Sequence, residues 1–279
     1  MTSLKDELKL LAKAWLGKST RKLLGPNVCA LLVQTETGVF AVDPEDNELG
    51  RQLRLRGSWG VDELHRLEPH LGVDTSVLIV GAHIGTLAIP IARKCRSVTA
   101  IEANPRTYRL LLQNIALNAS VNCTPYNIAA SDRREQLGFL LNRANSGGSK
   151  RTPKNRAFIY YYDRPEEISV RAESLDQFFD AARFDIVVMD IEGSEYFALK
   201  GMQRILADCR LLVVEFVPHH LTNVSGVGVA EFLSVIAPHF GRLTIPSQGK
   251  TVEAPEFLAC LSQMHAAGQV DDGILFEKV

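Results

Sequence analysis

Val77-Leu78-Ile79-Val80-Gly81-Ala82-His83-Ile84-Gly85 decides the fold. An apolar run passes straight into a glycine turn, and a helical pattern over residues 84–94 follows at once. A run this short and this apolar reads as a buried strand. Glycine at 81 and 85 lets the backbone turn tightly and approach a ligand. The helix that opens behind the turn offers unpaired N–H groups. The spacing is G-x-x-x-G. It lacks the G-x-G-x-x-G of a dinucleotide site and the Gly-Lys-Ser/Thr of a phosphate loop, so a nucleoside carrying an amino-acid tail fits better than NAD or ATP.

Outward from this stretch the rhythm continues. Residues 97–102 read as a second strand, 105–118 as a helix and 122–130 as a third strand. Further on, 175–182 reads as a helix, 184–190 as a strand, 195–207 as a helix, 211–216 as a strand and 229–240 as a helix. Strands at 242–245 and 273–278 close the series, with a helix over 255–265 between them. Alternation at this spacing implies right-handed βαβ units and a mostly parallel sheet with helices on both faces. No repeat and no linker divides this part of the chain, so residues 71–279 are assigned to one domain.

Asn142-Arg143-Ala144-Asn145-Ser146-Gly147-Gly148-Ser149-Lys150-Arg151-Thr152-Pro153-Lys154-Asn155-Arg156 interrupts the rhythm with five basic and no acidic residues. It reads as a long loop. A solvated insertion and a mobile lid or substrate loop that attracts anionic groups both fit it.

Residues 1–70 read as an N-terminal extension packed on the domain: a helix, a hairpin over 28–34 and 39–42, and a second helix over 61–71. The first 24 residues carry Asp6 and Glu7 and have no uninterrupted apolar core, unlike a signal peptide. Leu4, Leu8, Leu11, Trp15 and Leu16 recur at helical spacing. They read as an amphipathic helix packed on the domain, in preference to a membrane-surface or dimer contact. No apolar run reaches the roughly eighteen residues of a membrane span.

The 279 residues hold 31 Lys+Arg against 32 Asp+Glu, a net charge of −1, with 46% hydrophobic and 23% charged residues. That composition excludes a disordered or low-complexity chain. Near-neutral charge argues against a protein that coats nucleic acid. The five cysteines include no C-x-x-C pair, which argues against a zinc site or redox dithiol, and a reducing, cytoplasmic setting is expected. A small-molecule partner is expected, with neither nucleic acid nor membrane, and a homodimer is left open.

Glu102 ends the second strand about twenty residues after the first glycine, where nucleoside-binding βαβ folds place an acid for the ribose hydroxyls. It is followed by Ala103-Asn104-Pro105. Asp132, in Ala129-Ala130-Ser131-Asp132, follows the third strand near the edge where a base would lie, although a turn aspartate reads equally well. Asp190 and Glu192, in Met189-Asp190-Ile191-Glu192-Gly193-Ser194-Glu195, sit at the carboxyl end of the fourth strand, where open α/β sheets bind ligands. Carboxylates this close repel one another, and a functional site is the usual reason for such clustering. Holding an ammonium group, taking a proton from a hydroxyl and binding a divalent cation are the roles open to them; no metal is assigned. Glu195 is explained by the helix N-terminus alone. His219 and His220 follow the fifth strand, and His219 is a candidate base, although two loop histidines read somewhat better.

These stretches together resemble the FkbM-type family of S-adenosylmethionine-dependent methyltransferases over roughly residues 77–216. The likeness rests on VLIVGAHIGTLAIPIA, IEANPRTYRLLLQNIALN, AASD, NSGGS and, most specifically, VVMDIEGSEYFALKGM. The resemblance implies a Rossmann-like, seven-stranded class I methyltransferase sheet and S-adenosyl-L-methionine as cofactor. It places Gly81 and Gly85 along the methionine, Glu102 at the ribose and Asp132 near adenine, with Ala82, His83, Ala103 and Asn104 also among the cofactor-binding residues. Asp190 and Glu192 would lie near the methyl and the acceptor. His83 stands where such proteins usually carry Asn. The reaction it implies is O-methylation of a sugar or natural-product hydroxyl. N-methylation, a non-catalytic relative and an NAD-dependent oxidoreductase are the alternatives.

Overall fold

Ser76–Val80 is buried along its whole length, and the other elements are arranged around it in a computed structural model that describes residues 4–279. The N-terminal part supplies helix α1 (Leu4–Leu24), the hairpin β1 (Leu31–Thr35) and β2 (Gly38–Val42), and helices α2 (Leu49–Arg56) and α3 (Val61–Leu67). Then come β3 (Ser76–Val80), α4 (Ala88–Ala92), β4 (Ser97–Ile101), α5 (Pro105–Leu117), β5 (Cys123–Tyr126), β6 (Ala129–Ser131), β7 (Glu135–Leu141), β8 (Lys150–Arg151), α6 (Phe158–Tyr161) and β9 (Glu166–Ser174). The remaining strands are β10 (Ile186–Met189), β11 (Leu211–Phe216), β12 (Arg242–Ile245), β13 (Lys250–Glu253) and β14 (Asp271–Glu277).

The main sheet runs β13-β12-β14-β11-β10-β3-β4-β5. The five strands β11-β10-β3-β4-β5 are parallel, while β14 enters antiparallel between β11 and β12. The seven expected strands are all present. The eighth, β13, adds on the edge as the second arm of a hairpin with β12. Successive residues of the central strands serve opposite faces. Leu78, Val80, Val187, Met189, Leu212 and Val214 join one core cluster. Val77, Ile79, Ile186, Val188, Leu211 and Val213 join the other. This period of two produces the two-sided burial of a parallel sheet.

Three expectations are corrected. The run 122–130 is not one strand. β5 ends at Tyr126, and β6 crosses into a separate four-stranded sheet, β6-β9-β7-β8. Residues 142–156 are not one long loop, because they hold a 3-10 turn, Ser146–Gly148, and β8. The third concerns α1. It meets the rest of the chain through Ala14 and Gly17, with Gly17 against the Glu45 carbonyl and Lys13 paired to Glu48. Its larger apolar side chains do not pack, since Leu4, Leu8, Leu11, Trp15 and Leu16 are all exposed. Small residues allow a helix to approach backbone closely, and here that contact prevails over the apolar stripe.

The hairpin and α2 share a core cluster with the main sheet's helices: Phe40, Val42, Leu49 and Leu53 pack with Ile84, Ile89 and Leu110. Asn114 of α5 is buried and ties the two together, accepting from the Ala41 N–H at 2.6 Å and donating to the Ala41 carbonyl at 3.2 Å. No described helix is long and apolar enough to cross a membrane.

Candidate active site

The carboxyl ends of β3, β4, β10 and β11 open into a cavity of about 740 Å³. Gly81, Ala82 and His83 form its floor, Glu102 and Ala103 one side, and Asp190, Glu192 and Glu215 another. The extension closes one flank through Glu48, Trp59 and Glu63, and the second sheet closes the opposite flank through Ala129, Leu137 and Phe139.

The floor is fixed by backbone bonds. The N–H groups of Gly81 and Ala82 both donate to the Ile101 carbonyl, at 2.9 and 2.8 Å, and the Asp190 N–H donates to Val80 at 3.0 Å. Gly81 has φ +94°, and a Cβ there would lie 1.8 Å from the Asp190 carbonyl oxygen. Only glycine allows β3 and β10 to end this close together.

Glu102 is buried. Its Oε2 accepts from the His83 N–H at 2.8 Å and its Oε1 from the Asn104 N–H at 2.7 Å. Burial pushes its pKa up, while the charge of His83 and the donor groups pull it down. Two oxygens offer about four lone-pair sites, so acceptor capacity remains toward the cavity. His83 has φ +50°. Among side chains with a Cβ, Asn, Asp and His are the ones enriched in that left-handed region. His at this position therefore suits the backbone. The His83 Nε2 lies 2.7 Å from the Ser146 hydroxyl. Asp46 accepts from the Ser146 N–H at 3.1 Å and also bonds its hydroxyl. Asp163 accepts from the N–H groups of Arg143 and Ala144, at 2.6 and 3.0 Å. The basic segment is thus clamped at both the cavity and its base and is not a solvated insertion; Asn145, Ser146, Gly147 and Ser149 line the cavity.

Of the residues expected from sequence, Gly81, Ala82, His83, Glu102, Ala103, Asp190 and Glu192 meet on the cavity wall. Four do not. Gly85 faces Leu111 and Ile89. Asn104 caps α5, accepting from the Arg106 N–H at 2.9 Å. Asp132 is carried away with β6 and pairs with Lys200 at 3.3 Å. His219 is exposed, with its Nδ1 3.1 Å from the Tyr160 hydroxyl. Its neighbour His220 is the one turned inward.

Lys150 and Glu215 were not expected from the sequence, and His220 was named there only beside His219. Lys150 is buried, and its Nζ donates to Glu192 Oε2 at 2.8 Å. The same Nζ lies 3.3 Å from His220 Nε2. Lysine is only a donor, so Nε2 accepts and the ring proton is assigned to Nδ1. Among the described residues that Nδ1 has no hydrogen-bond partner, and it faces Glu215 Oε2 at 3.6 Å. Burial and then the Lys150 charge push the His220 pKa down, so the ring is neutral. Glu192 itself has φ +58°, a backbone strain that aims its carboxylate at Lys150 and is of the kind found at functional sites. Gly193 follows at φ +99°, with Val224 and His220 where a Cβ would lie.

The cavity carries more acid than base. Burial is the main cause that pushes Asp190 and Glu215 well above the usual carboxylate range, and each also feels Glu192 and Glu195. Asp190 lines the cavity and is exposed within it. Glu63 is pushed up to about 7, first by burial. Glu195 Oε1 accepts from the N–H groups of Ile191 and Gly193, at 3.0 and 3.1 Å, and so braces the turn. Oxygens of Asp190, Glu195 and Glu215 lie within 4.8 Å of one another, a span that one cation could bridge. The site therefore favours positive charge, offers a ribose-type acceptor at Glu102, and holds carboxylates more basic than ordinary ones.

The Methyltransferase FkbM domain family matches residues 80–243. Nothing among curated proteins matches the chain. Several solved structures are similar at low identity. Methyltransferase FkbM from Methylobacillus flagellatus is 18% identical with a TM-score of 0.41, covering 73% of this chain and 43% of its own. Trm5b from Pyrococcus abyssi is 12% identical with a TM-score of 0.45, covering 91% and 57%. TYW2 from M. jannaschii, in complex with AdoMet, is 16% identical with a TM-score of 0.43, covering 91% and 89%. The chain thus spans less than two thirds of the first two.

Proposed function

The chain belongs to the FkbM methyltransferase family, whose members depend on S-adenosylmethionine, and from that premise we propose that it methylates a hydroxyl group of a small molecule, a sugar or natural product. One observation carries this reading: Glu102 and Asp190, from the ends of β4 and β10, face a single acid-rich cavity. The donor set fits the cofactor. Glu102 has acceptor capacity for ribose hydroxyls, Gly81–His83 would run beside the amino-acid tail, and the excess of carboxylates suits a ligand bearing ammonium and sulfonium charges. When bound, S-adenosylmethionine supplies a methyl group already activated for transfer.

The chain's own residues supply alignment and proton removal. Asp190 takes the acceptor's proton, and its raised pKa makes it a stronger base than an ordinary carboxylate. Lys150 holds Glu192 in place beside it. The second sheet and the Ser146–Gly148 turn restrict water.

Calorimetric titration with S-adenosylmethionine, S-adenosylhomocysteine and NAD tests the proposal. Micromolar binding of the two adenosyl ligands and none of NAD is expected. Binding of NAD alone, or of nothing, overturns it. The same titration should show proton release. Glu63, pushed up to about 7, is partly protonated at neutral pH; a nearby positive charge lowers its pKa, and protons leave. The heat with S-adenosylmethionine should then vary with the ionisation enthalpy of the buffer, and vary less with S-adenosylhomocysteine, which lacks the sulfonium.

Glu102→Ala should weaken S-adenosylmethionine binding by about a hundredfold or more, since charged hydrogen bonds of about 1.5–3 kcal/mol each are lost. It also deprives the His83 and Asn104 N–H groups of their acceptor. Glu102→Gln, which keeps one oxygen, should fall between. Unchanged affinity in both variants would show that the ribose does not bind here.

A further inference from the structure

We propose that α1 docks the protein on an anionic lipid surface. Leu4, Leu8, Leu11 and Trp15 follow one another at spacings of four, three and four, so they form a single stripe along one face of the helix. They are 74%, 58%, 45% and 68% exposed. The helix meets its own chain elsewhere, through Ala14 and Gly17. Past Trp15 the same spacing reaches Lys18 and Lys22, with Lys5 toward one side of the stripe and Glu7 toward the other. Over its 21 residues α1 carries six Lys or Arg, Lys13 of them paired with Glu48, against two acids, in a chain whose whole net charge is −1. The positive charge is therefore a local property of this helix. Beside it, α6 adds an exposed Phe158 and is preceded by exposed Lys154 and Arg156.

Charge decides the occupant. A second copy of α1 laid parallel would set Lys18 on Lys18 and Lys22 on Lys22. Laid antiparallel, it would set those lysines on Leu4 and Leu8. Like charges at such positions repel, and the stripe is shorter than the three heptads a coiled-coil seam needs. An anionic bilayer satisfies both parts: the leucines and the indole enter the interface, while the lysines reach the headgroups on their alkyl stems.

The test is co-sedimentation of the full chain with phosphatidylcholine vesicles, with and without phosphatidylglycerol. Binding is expected only with phosphatidylglycerol, weakened by high salt. It should fall roughly tenfold or more in Leu8→Glu/Trp15→Glu. Both sites are exposed, so the variant should keep its thermal midpoint. Failure to sediment, or equal binding to neutral vesicles, overturns the proposal. So does a concentration-dependent dimer in sedimentation velocity that the same substitutions abolish, which would assign the stripe to a second copy. Neither result bears on cofactor binding, which the calorimetry reads separately.

Discussion

Asp190→Asn lowers turnover by about two to four orders of magnitude, the range expected for a lost general base. The two side chains have the same shape, and the anchor of residue 190 is its backbone N–H on the Val80 carbonyl, which the substitution leaves in place. What disappears is a carboxylate whose protonated form is favoured by burial and by Glu192, Glu195 and Glu63 around it. Removing one of several mutually repelling acids costs the fold nothing electrostatically. The thermal midpoint should therefore hold or rise while the rate collapses. The measurement is single-turnover transfer of labelled methyl to a hydroxyl acceptor drawn from a panel, beside thermal unfolding. A variant that unfolds early but keeps its specific activity sinks the assignment.

Lys150→Met should produce the largest loss of stability. Lys150 Nζ is the donor shared by Glu192 and His220, and the lysine side chain is 5% exposed. Without it, Glu192 remains as a largely buried charge with only the neutral His220 ring, 3.3 Å away, beside it. Breaking such a pair typically costs about 3–5 kcal/mol, and the opening of Glu192 toward the cavity places this case near the lower end. Adding Glu192→Gln removes the stranded charge and should recover most of the loss. Denaturant midpoints of the two single variants and the double variant measure the coupling. A double variant no more stable than Lys150→Met would mean that the pair is not what the lysine serves.

The two carboxylates at strand ends were legible because strand ends are where the chain's own rhythm puts a site. Ser76–Val80 and Leu211–Phe216 are apolar almost throughout, and buried or nearly so, hence easy to read. The second sheet had a signal too. Ile168, Val170 and Ala172 alternate with polar residues in β9, yet the basic composition of 142–156 masked their partner β8. Residues 195–207 read as one helix but form two, Glu195–Lys200 and Gln203–Asp208, parted where Gly201 lies against the Ser131 carbonyl. Lys150 gave no sign at all, since its burial comes from pairing of β8 with β7 and from Glu192 across the fold. Which of His219 and His220 turns inward depends on the phase of the short turn after Pro218, and adjacent residues do not disclose that. Periodicity likewise finds both faces of α1 without ranking them, and docking through Ala14 and Gly17 follows only from the close approach of Glu45.

The clamp of Ser146 between His83 and Asp46 bears on how this chain can be recombined. The roof of the cavity is fastened to the segment before residue 70, not only to the sheet beneath it. A chimera that grafts a foreign leader onto residues 71–279 would inherit the strands and acids of the pocket but leave its roof untied. An interchangeable part of this protein must therefore be cut upstream of Asp46, so that the aspartate travels with the pocket it closes.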